Sequence, residues 1–257
     1  MLRTADIQKL AHHYLPKDFV LTDWASLEPY FKELSDRPIE DALGLEKWLK
    51  DLSELEAFIS EDACWRQIKM TCDTTDKSLE EAFNFFCMEI QPKMQPYADA
   101  LNKKLMACPF TQTLDKDTYF TYLRAVQKSI DLFRTENIAI QAELSVMQQQ
   151  YGAIAGKMTI THEGQEYTLQ QAAQFLESED RNIRESVYRK IQERRLEDKT
   201  AMHDLFSSLI QKRHQVAINA GFENYRDYKF VELGRFDYTK EDCFQFHEAV
   251  KLHVLPL

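Results

Sequence analysis

Residues 156–169, GKMTITHEGQEYTL, decide how the chain folds, because they depart from the pattern on either side of them. β-Branched and aromatic residues alternate with polar ones before and after the central HEG. Alternation with a period of two is typical of a strand, and a short turn with glycine joins two strands into a hairpin. The sequence therefore predicts strands at 157–161 and 166–169, with His162 at the tip of the turn. Such a hairpin is marginally stable alone, so it must pack on helices or on a ligand.

Apolar residues on both sides of the hairpin recur at steps of three and four, the period of an amphipathic helix. Before the hairpin, helices are predicted at 116–133 and 135–155, and the short join makes them antiparallel. After it, one long helix is predicted at 182–219, ending at Gly221. Its apolar positions form one packing stripe, made of Ile183, Val187, Ile191, Met202, Leu205, Leu209 and Val216.

Two further helices are predicted nearer the N-terminus. The first begins near Asp23 or Trp24 and stops before Pro38, because proline disfavours helical geometry in the residue that precedes it. The second is predicted at 39–70. Its inward stripe consists of Leu43, Trp48, Leu52, Leu55 and Phe58.

Capping residues mark other helix starts. Ser78 and Glu81 have the spacing of a capping box, and Thr239 with Asp242 caps the helix that carries the end of the sequence. Each proline inside a helix removes a hydrogen bond. A kink is therefore predicted at 91–95, beside Pro92 and Pro96.

Glycine and proline are scarce, with 6 and 7 of 257 residues, which favours long helices. We predict a mostly α fold of long antiparallel helices, helical over more than about half its length, with one small β-hairpin near residues 157–169. The length allows one large or two modest domains. We divide the chain into an N-terminal helical region at 1–115 and a helical region with the hairpin at 116–257.

The charge balance excludes several classes of partner. The chain has 42 acidic and 32 basic side chains and a net charge of −10, which disfavours nucleic acid and anionic membranes. The densest basic stretch, Arg181–Arg195, is interleaved with acidic residues, as on a solvated helix face. Neither a signal peptide nor a membrane span is expected. The odd number of cysteines, 5, fits free thiols in the cytoplasm.

The stretch HEAVKLH at 247–253 resembles the zinc motif HExxH but lacks its spacing. That motif needs histidines at i and i+4 so that both imidazoles leave one helix face. Lys251 occupies the i+4 position, and His253 lies roughly 240° around a helix from His247. A second stretch, HEGQE at 162–166, has glutamate where the second histidine belongs. We therefore predict no catalytic, cofactor-binding or metal-binding residue in this chain.

Three longer segments resemble oligoendopeptidase F, a branch of the thimet oligopeptidase-like zinc metallopeptidases. Their order and spacing carry the resemblance, and none is a short catalytic signature. The segments are DWASLEPYFKELSDRPI at Asp23–Ile39, the stretch from RTENIAIQAEL to ESVYRKI at Arg134–Ile191, and NYRDYKFVELGRFDYTKEDCFQFHEAV at Asn224–Val250.

The resemblance implies that the chain is one lobe of a two-lobed, zinc-dependent peptidase with a deep channel that admits short unfolded peptides. The chain would be truncated before the zinc-binding region, so the metal would belong to the complete enzyme and this chain alone would be inactive. The C-terminal catalytic half would be its partner. The hairpin at 157–169 could offer a strand edge to substrate.

Two alternatives stay open at this stage. One is a non-catalytic, self-standing helical module that binds protein partners, and the other is a paralogue that has lost the metal site. A missing half also predicts exposed apolar side chains on the last helix, because they are too many for one narrow stripe. These residues are Phe244, Phe246, Val250, Leu252, Val254 and Leu257.

Overall fold

The computed structural model describes residues 12–256, and the fold is 77% helical with one two-stranded antiparallel sheet. The predicted mostly α fold with a single small hairpin is confirmed. Strands β1 (Thr159–His162) and β2 (Gln165–Thr168) pair with each other. The helices are α1 (Trp24–Asp36), α2 (Ala42–Cys72), α3 (Lys77–Phe85), α4 (Gln91–Ala107), α5 (Lys116–Leu132), α6 (Thr135–Gly156), α7 (Leu169–Ala172), α8 (Arg181–Glu197), α9 (Lys199–Asn219), α10 (Tyr225–Glu232) and α11 (Lys240–His253).

Helix α1 has the predicted bounds, because Asp23 accepts a hydrogen bond from the Ser26 N–H at its start. In α2 the predicted inward position of Leu43 is wrong, since 74% of this residue is exposed. At 100° per residue Leu43 lies opposite the true stripe. That stripe consists of Leu45, Trp48, Leu49, Leu52, Leu55 and Ile59.

The capping box predicted at Ser78 is wrong. Asp76 caps α3 instead, and its carboxylate accepts from the Ser78 N–H at 2.8 Å and hydroxyl at 2.7 Å. Residues 91–95, where a kink is predicted, are helical in α4, and the irregular backbone lies just before them, where Phe86–Ile90 form a π-helical segment. Pro92 is the second residue of α4, directly after this segment, and its missing N–H leaves one backbone carbonyl of the π-helical turn without that donor.

Helices α5 and α6 match their predicted bounds, but the single helix predicted at 182–219 is wrong. It is divided into α8 and α9 at Asp198, whose backbone leaves helical geometry and whose carboxylate accepts from Arg194 at 2.6 Å. Gly221 ends α9 as predicted, with φ of 88°. Its N–H donates to the Ile218 carbonyl at 2.9 Å. Helix α10 was not predicted from the sequence.

Three clusters of buried apolar side chains hold the described residues together. The first lies among α1, α2, the π-helical segment and α4, and the second joins the end of α5 to α6, α9 and α10. The third packs Ile160 of β1 and Ala172 against Val187 and Ile191 of α8. Helix α5 contributes to both the first and second clusters, and the division predicted between residues 115 and 116 stays a prediction.

The buried Asn137 joins α6 to the end of α9. Its amide nitrogen donates to the Val216 carbonyl at 3.0 Å, and its amide oxygen accepts from the Asn219 amide at 2.8 Å. A buried amide with its groups partnered fixes one arrangement of the helices, because any shift would leave them unpaired. This junction sets the position of α6 relative to the C-terminal helices.

The prediction that His162 lies at the hairpin tip is wrong. His162 is the last residue of β1 and pairs with Gln165. Glu163 and Gly164 form the two-residue turn, and both have positive φ, at 50° and 79°. His162 therefore shares the inward face with Ile160, two residues before it. Its exposed fraction is 8%, and its ring centre lies 4.5 Å from that of Phe175. His162 is therefore buried against Phe175 and is not solvated.

A buried carboxylate on α2 predicts how stability depends on pH. Asp51 is 5% exposed and accepts from Arg37 and Lys47, each at 2.6 Å. Burial raises the pKa of Asp51, but the hydrogen bonds and charges of Lys47 and Arg37 outweigh it and hold that pKa below its ordinary value. This contribution to folding is present above the ordinary pKa of an aspartate and is lost as the pH falls through the lowered pKa.

We expect Asp51→Asn to lower the free energy of unfolding by about 1–3 kcal/mol at pH 7, because Arg37 and Lys47 lose a charged partner. The gap to the wild type should narrow as the pH falls through the lowered pKa of Asp51, because the wild-type carboxyl then also becomes neutral. Urea unfolding followed by circular dichroism measures both. Asp204→Asn, at an exposed position of α9, is the control. A gap that persists unchanged in acid would contradict the prediction.

Candidate functional site

The HEAVKLH stretch lies on α11 with His247 and His253 exposed. Lys251 pairs with Glu248 at 3.4 Å, and the His247 ring lies beside Phe246 at 6.3 Å between ring centres. In the described residues no group of three or more histidine, cysteine, aspartate or glutamate side chains is placed to hold a metal ion. The described side chains do not fit a zinc centre, and no hydrolytic step is assigned to them.

The basic stretch Arg181–Arg195 serves local contacts. Arg189 pairs with Glu185 at 2.8 Å, and Arg194 reaches Asp198. The Lys190 ammonium donates a hydrogen bond to the Thr161 carbonyl of β1 at 2.8 Å, a contact that was not predicted from the sequence. This contact ties the hairpin to α8.

The outer edges of the hairpin are partly occupied. Thr161 of β1 is paired opposite Glu166 of β2. The Thr161 carbonyl points away from β2, to the side where an added strand would lie, and it accepts a hydrogen bond from Lys190. On β2, the Thr168 N–H donates to the side chain of Gln171 at 2.9 Å. The binding of substrate at this edge stays a prediction, and these two contacts reduce the backbone groups that a peptide could reach.

A groove of about 450 Å³ opens between the end of α2, α3 and the second half of α6. No acidic or basic residue lines it. The Met70 side chain is buried, whereas Tyr151 is exposed. The sequence analysis missed this feature, although Gly152 within a predicted helix was a signal for it. The lining consists of Gln67, Met70, Thr71, Thr74, Phe83, Ser145, Gln148, Gln149, Tyr151, Gly152 and Ala153.

A second cavity of about 360 Å³ lies among α4, α5, α6 and α10. Its charged side chains pair with neighbours: Asp99 accepts from Lys103 at 2.6 Å, and Lys128 donates to Asp131 at 2.9 Å. Burial raises the pKa of Tyr228, which also lines this cavity, to about 12. These charges are therefore engaged in ion pairs within their own helices.

Helix α11 has no buried residue. Its first turn is anchored to α10, where Lys240 donates to Asp227 at 2.9 Å and the Arg226 guanidinium lies 5.3 Å from the Phe244 ring centre. The hydrogen bonds from Arg226 and Lys240 hold the pKa of Asp227 well below its usual range. The expected exposure is confirmed for Phe244, Phe246, Leu252 and Val254, whereas Val250 is half-buried and Leu257 lies outside the described residues.

Two protein-family models match this chain in order. The model described as the peptidase M3 N-terminal domain matches residues 17–133, and the model of peptidase family M3 matches residues 174–257. The chain belongs to peptidase family M3. The resemblance found in the three sequence segments is confirmed. Helices α1 to α5 lie within the residues that the first M3 model matches, and helices α8 to α11 lie within those that the second matches.

Solved structures share the fold of this M3 chain. A protein described as an oligoendopeptidase F, solved at 3.1 Å, has a TM-score of 0.86 and 23% identity over 93% of this chain and 42% of its own. PZ peptidase A with an inhibitor has a TM-score of 0.81 and 22% identity, covering 90% and 41%. An oligoendopeptidase F from Bacillus anthracis has a TM-score of 0.86 and 18% identity, covering 96% and 46%. No curated protein matches the chain.

The M3 chain therefore spans less than half the length of these solved structures. Within residues 12–256, no helix has both the length and the apolar character needed to cross a membrane. The cysteines at 64, 72, 87, 108 and 243 are free thiols, and burial raises the pKa of Cys87 to about 11. A thiol with a raised pKa is a poor nucleophile, so Cys87 is a core residue.

Proposed function

We propose that this chain is the N-terminal lobe of a zinc-dependent oligoendopeptidase that hydrolyses short unfolded peptides in the cytoplasm. The observation that carries the proposal is the pair of M3 family models matched in order at 17–133 and 174–257. The solved oligoendopeptidase F with the same fold is more than twice as long as the part that this chain covers. The missing part would supply the metal site and the catalytic residues, and this lobe would help to hold the substrate.

A helical module that binds other proteins is the second candidate. The observation that favours it is α11, whose apolar side chains lack a covering partner within the described residues. The two functions differ in what the coding sequence should contain. The peptidase requires a further region with an HExxH helix, whereas the interaction module does not.

For the peptidase, we expect the chain alone, in excess zinc, to leave short fluorogenic peptides uncleaved, because it lacks two histidines at i and i+4 with their glutamate. The chain joined to its HExxH-bearing region should cleave them, and a chelator should abolish the cleavage. The control is His247→Ala in the joined protein, which should keep full activity because this exposed histidine has no part in the metal site. Chelator-sensitive cleavage by the chain alone would contradict the proposal.

A further inference from the structure

Gly152 lies in the second half of α6, where no neighbouring atom requires the residue to be a glycine. A Cβ added there would meet no atom within 4 Å, and the residue is exposed. Gly156, one turn later, differs, because its Cβ would lie 3.0 Å from the Thr74 hydroxyl. Glycine inside a helix is less stable than alanine, and one common use of it is to let a ligand approach the backbone. Gly152 lines the groove between α2 and α6.

The lining of this groove can both donate and accept hydrogen bonds without carrying charge. Three glutamine amides, at 67, 148 and 149, and the hydroxyls of Thr71 and Thr74 line it. The Gln149 amide oxygen is buried and has no hydrogen-bond partner among the described residues. Amides match the alternating N–H and C=O groups of a peptide backbone, which have the same donor and acceptor chemistry.

The shape of the groove fits a short extended segment. From Ser145 to Gly152, α6 rises about 10 Å at 1.5 Å per residue, and an extended chain rises about 3.3 Å per residue, so about three peptide residues match this length. The volume of about 450 Å³ lies within the usual range for small ligands. Phe83, Tyr151 and Met70 offer apolar contact to a side chain.

We propose that this groove binds the backbone of an extended, uncharged peptide segment, with Gly152 as its floor and Gln149 as a hydrogen-bond partner. The inference rests on the proposed peptidase function and adds where substrate contacts this lobe. Recognition through backbone groups and apolar walls does not depend on a particular peptide sequence. Because no charged side chain lines the groove, binding should change little with salt.

The first test compares two substitutions at one position. Gly152→Trp fills the groove from an exposed site and should weaken the binding of a fluorescein-labelled, terminally blocked hexapeptide of alanine, serine and leucine at least tenfold. Gly152→Ala adds only a methyl group to the floor of the groove, should weaken binding by less than Gly152→Trp does, and should raise the melting temperature. Fluorescence anisotropy with the whole chain measures the affinity. Equal affinities for Gly152→Trp and wild type, or no binding by wild type at millimolar concentration, would overturn the proposal.

The second test removes one hydrogen-bonding group. Gln149→Leu should weaken binding of the same hexapeptide about tenfold, whereas Gln150→Leu, at an exposed position outside the groove lining, should leave it unchanged. The affinity should stay within about twofold between low and high salt. A steep salt dependence would mean that a charged surface elsewhere binds the peptide, and it would overturn the assignment.

The failure of this inference and that of the proposed function can be told apart. If the joined, HExxH-bearing protein cleaves peptides and Gly152→Trp leaves its KM unchanged, the groove is excluded while the peptidase stands. If the chain binds the hexapeptide through the groove but the joined protein shows no chelator-sensitive cleavage, the peptidase fails and the groove stands.

Discussion

Replacing Trp48 with alanine is expected to lower the free energy of unfolding by about 3–5 kcal/mol, the range for deleting a large buried aromatic side chain. Trp48 is 0% exposed at the centre of the first cluster. Its indole N–H donates to the Leu34 carbonyl at 2.9 Å, and the Lys104 ammonium lies 5.8 Å from the ring centre. The substitution therefore opens a cavity and also removes one hydrogen bond between α2 and α1.

Trp65 provides a matched control on the same helix. It is 52% exposed, and its indole N–H makes only a long contact of 3.4 Å with Glu61. Trp65→Ala should change the free energy of unfolding by less than about 0.5 kcal/mol, because it leaves the core intact. Urea unfolding followed by circular dichroism compares the two. Similar losses for both variants would contradict the packing described for α2.

A third variant separates the cavity from the hydrogen bond. Trp48→Phe removes the N–H but fills much of the space, and the Leu34 carbonyl keeps a partner because Lys104 donates to it at 2.9 Å. We expect this variant to be clearly more stable than Trp48→Ala. Most of the loss in the alanine variant would then come from packing.

Helix positions could be predicted from the sequence where a side chain caps the end. Asp23, Asp115 and Thr239 each accept from a backbone N–H in the first turn, and this local chemistry is readable without the fold. Leu43 was misplaced because the choice between two apolar stripes on α2 depends on which face meets α1. Asp198 was missed because no glycine or proline marks the break between α8 and α9, and the gap in the apolar stripe between Ile191 and Met202 was not interpreted as a helix end.

The candidate site was harder to predict than the helices. The groove joins residues near 67–74 with residues near 145–153, and only the tertiary fold brings these segments together. Gly152 was the local signal, because it weakens a helix that is otherwise continuous. The lack of an HExxH spacing is visible in the sequence itself, because that motif spans only about one turn of helix.

The largest effect on solution behaviour is expected from α11. The chain should self-associate, or bind a hydrophobic dye, more than a complete globular protein of its size. Phe246 and Leu252 are 67% and 64% exposed, and no residue of the helix is buried. Short helices are marginal without packing of an apolar face, so this helix gains stability from whatever covers it. Contiguous exposed apolar surface usually marks a partner site or an aggregation liability.

The net charge of −10 opposes this association through repulsion between copies. Added salt screens that repulsion and leaves the apolar attraction, so association should increase with ionic strength. Association driven by ion pairs would show the opposite trend. Analytical ultracentrifugation across a series of salt concentrations shows whether self-association rises or falls with ionic strength.

Substitutions on α11 test whether this surface is responsible. Phe246→Ser together with Leu252→Ser should roughly halve the fluorescence of bound dye and shift the chain towards monomer, because one large exposed apolar side chain is removed from each of two faces of α11. Leu43→Ser is the control, since Leu43 is equally exposed but stands alone on the outer face of α2. The HExxH-bearing region of the proposed enzyme, added to the wild-type chain, should suppress association by covering α11. A wild-type chain that is monomeric, silent to dye and cooperatively folded would count against a missing half, and it would favour the self-standing interaction module.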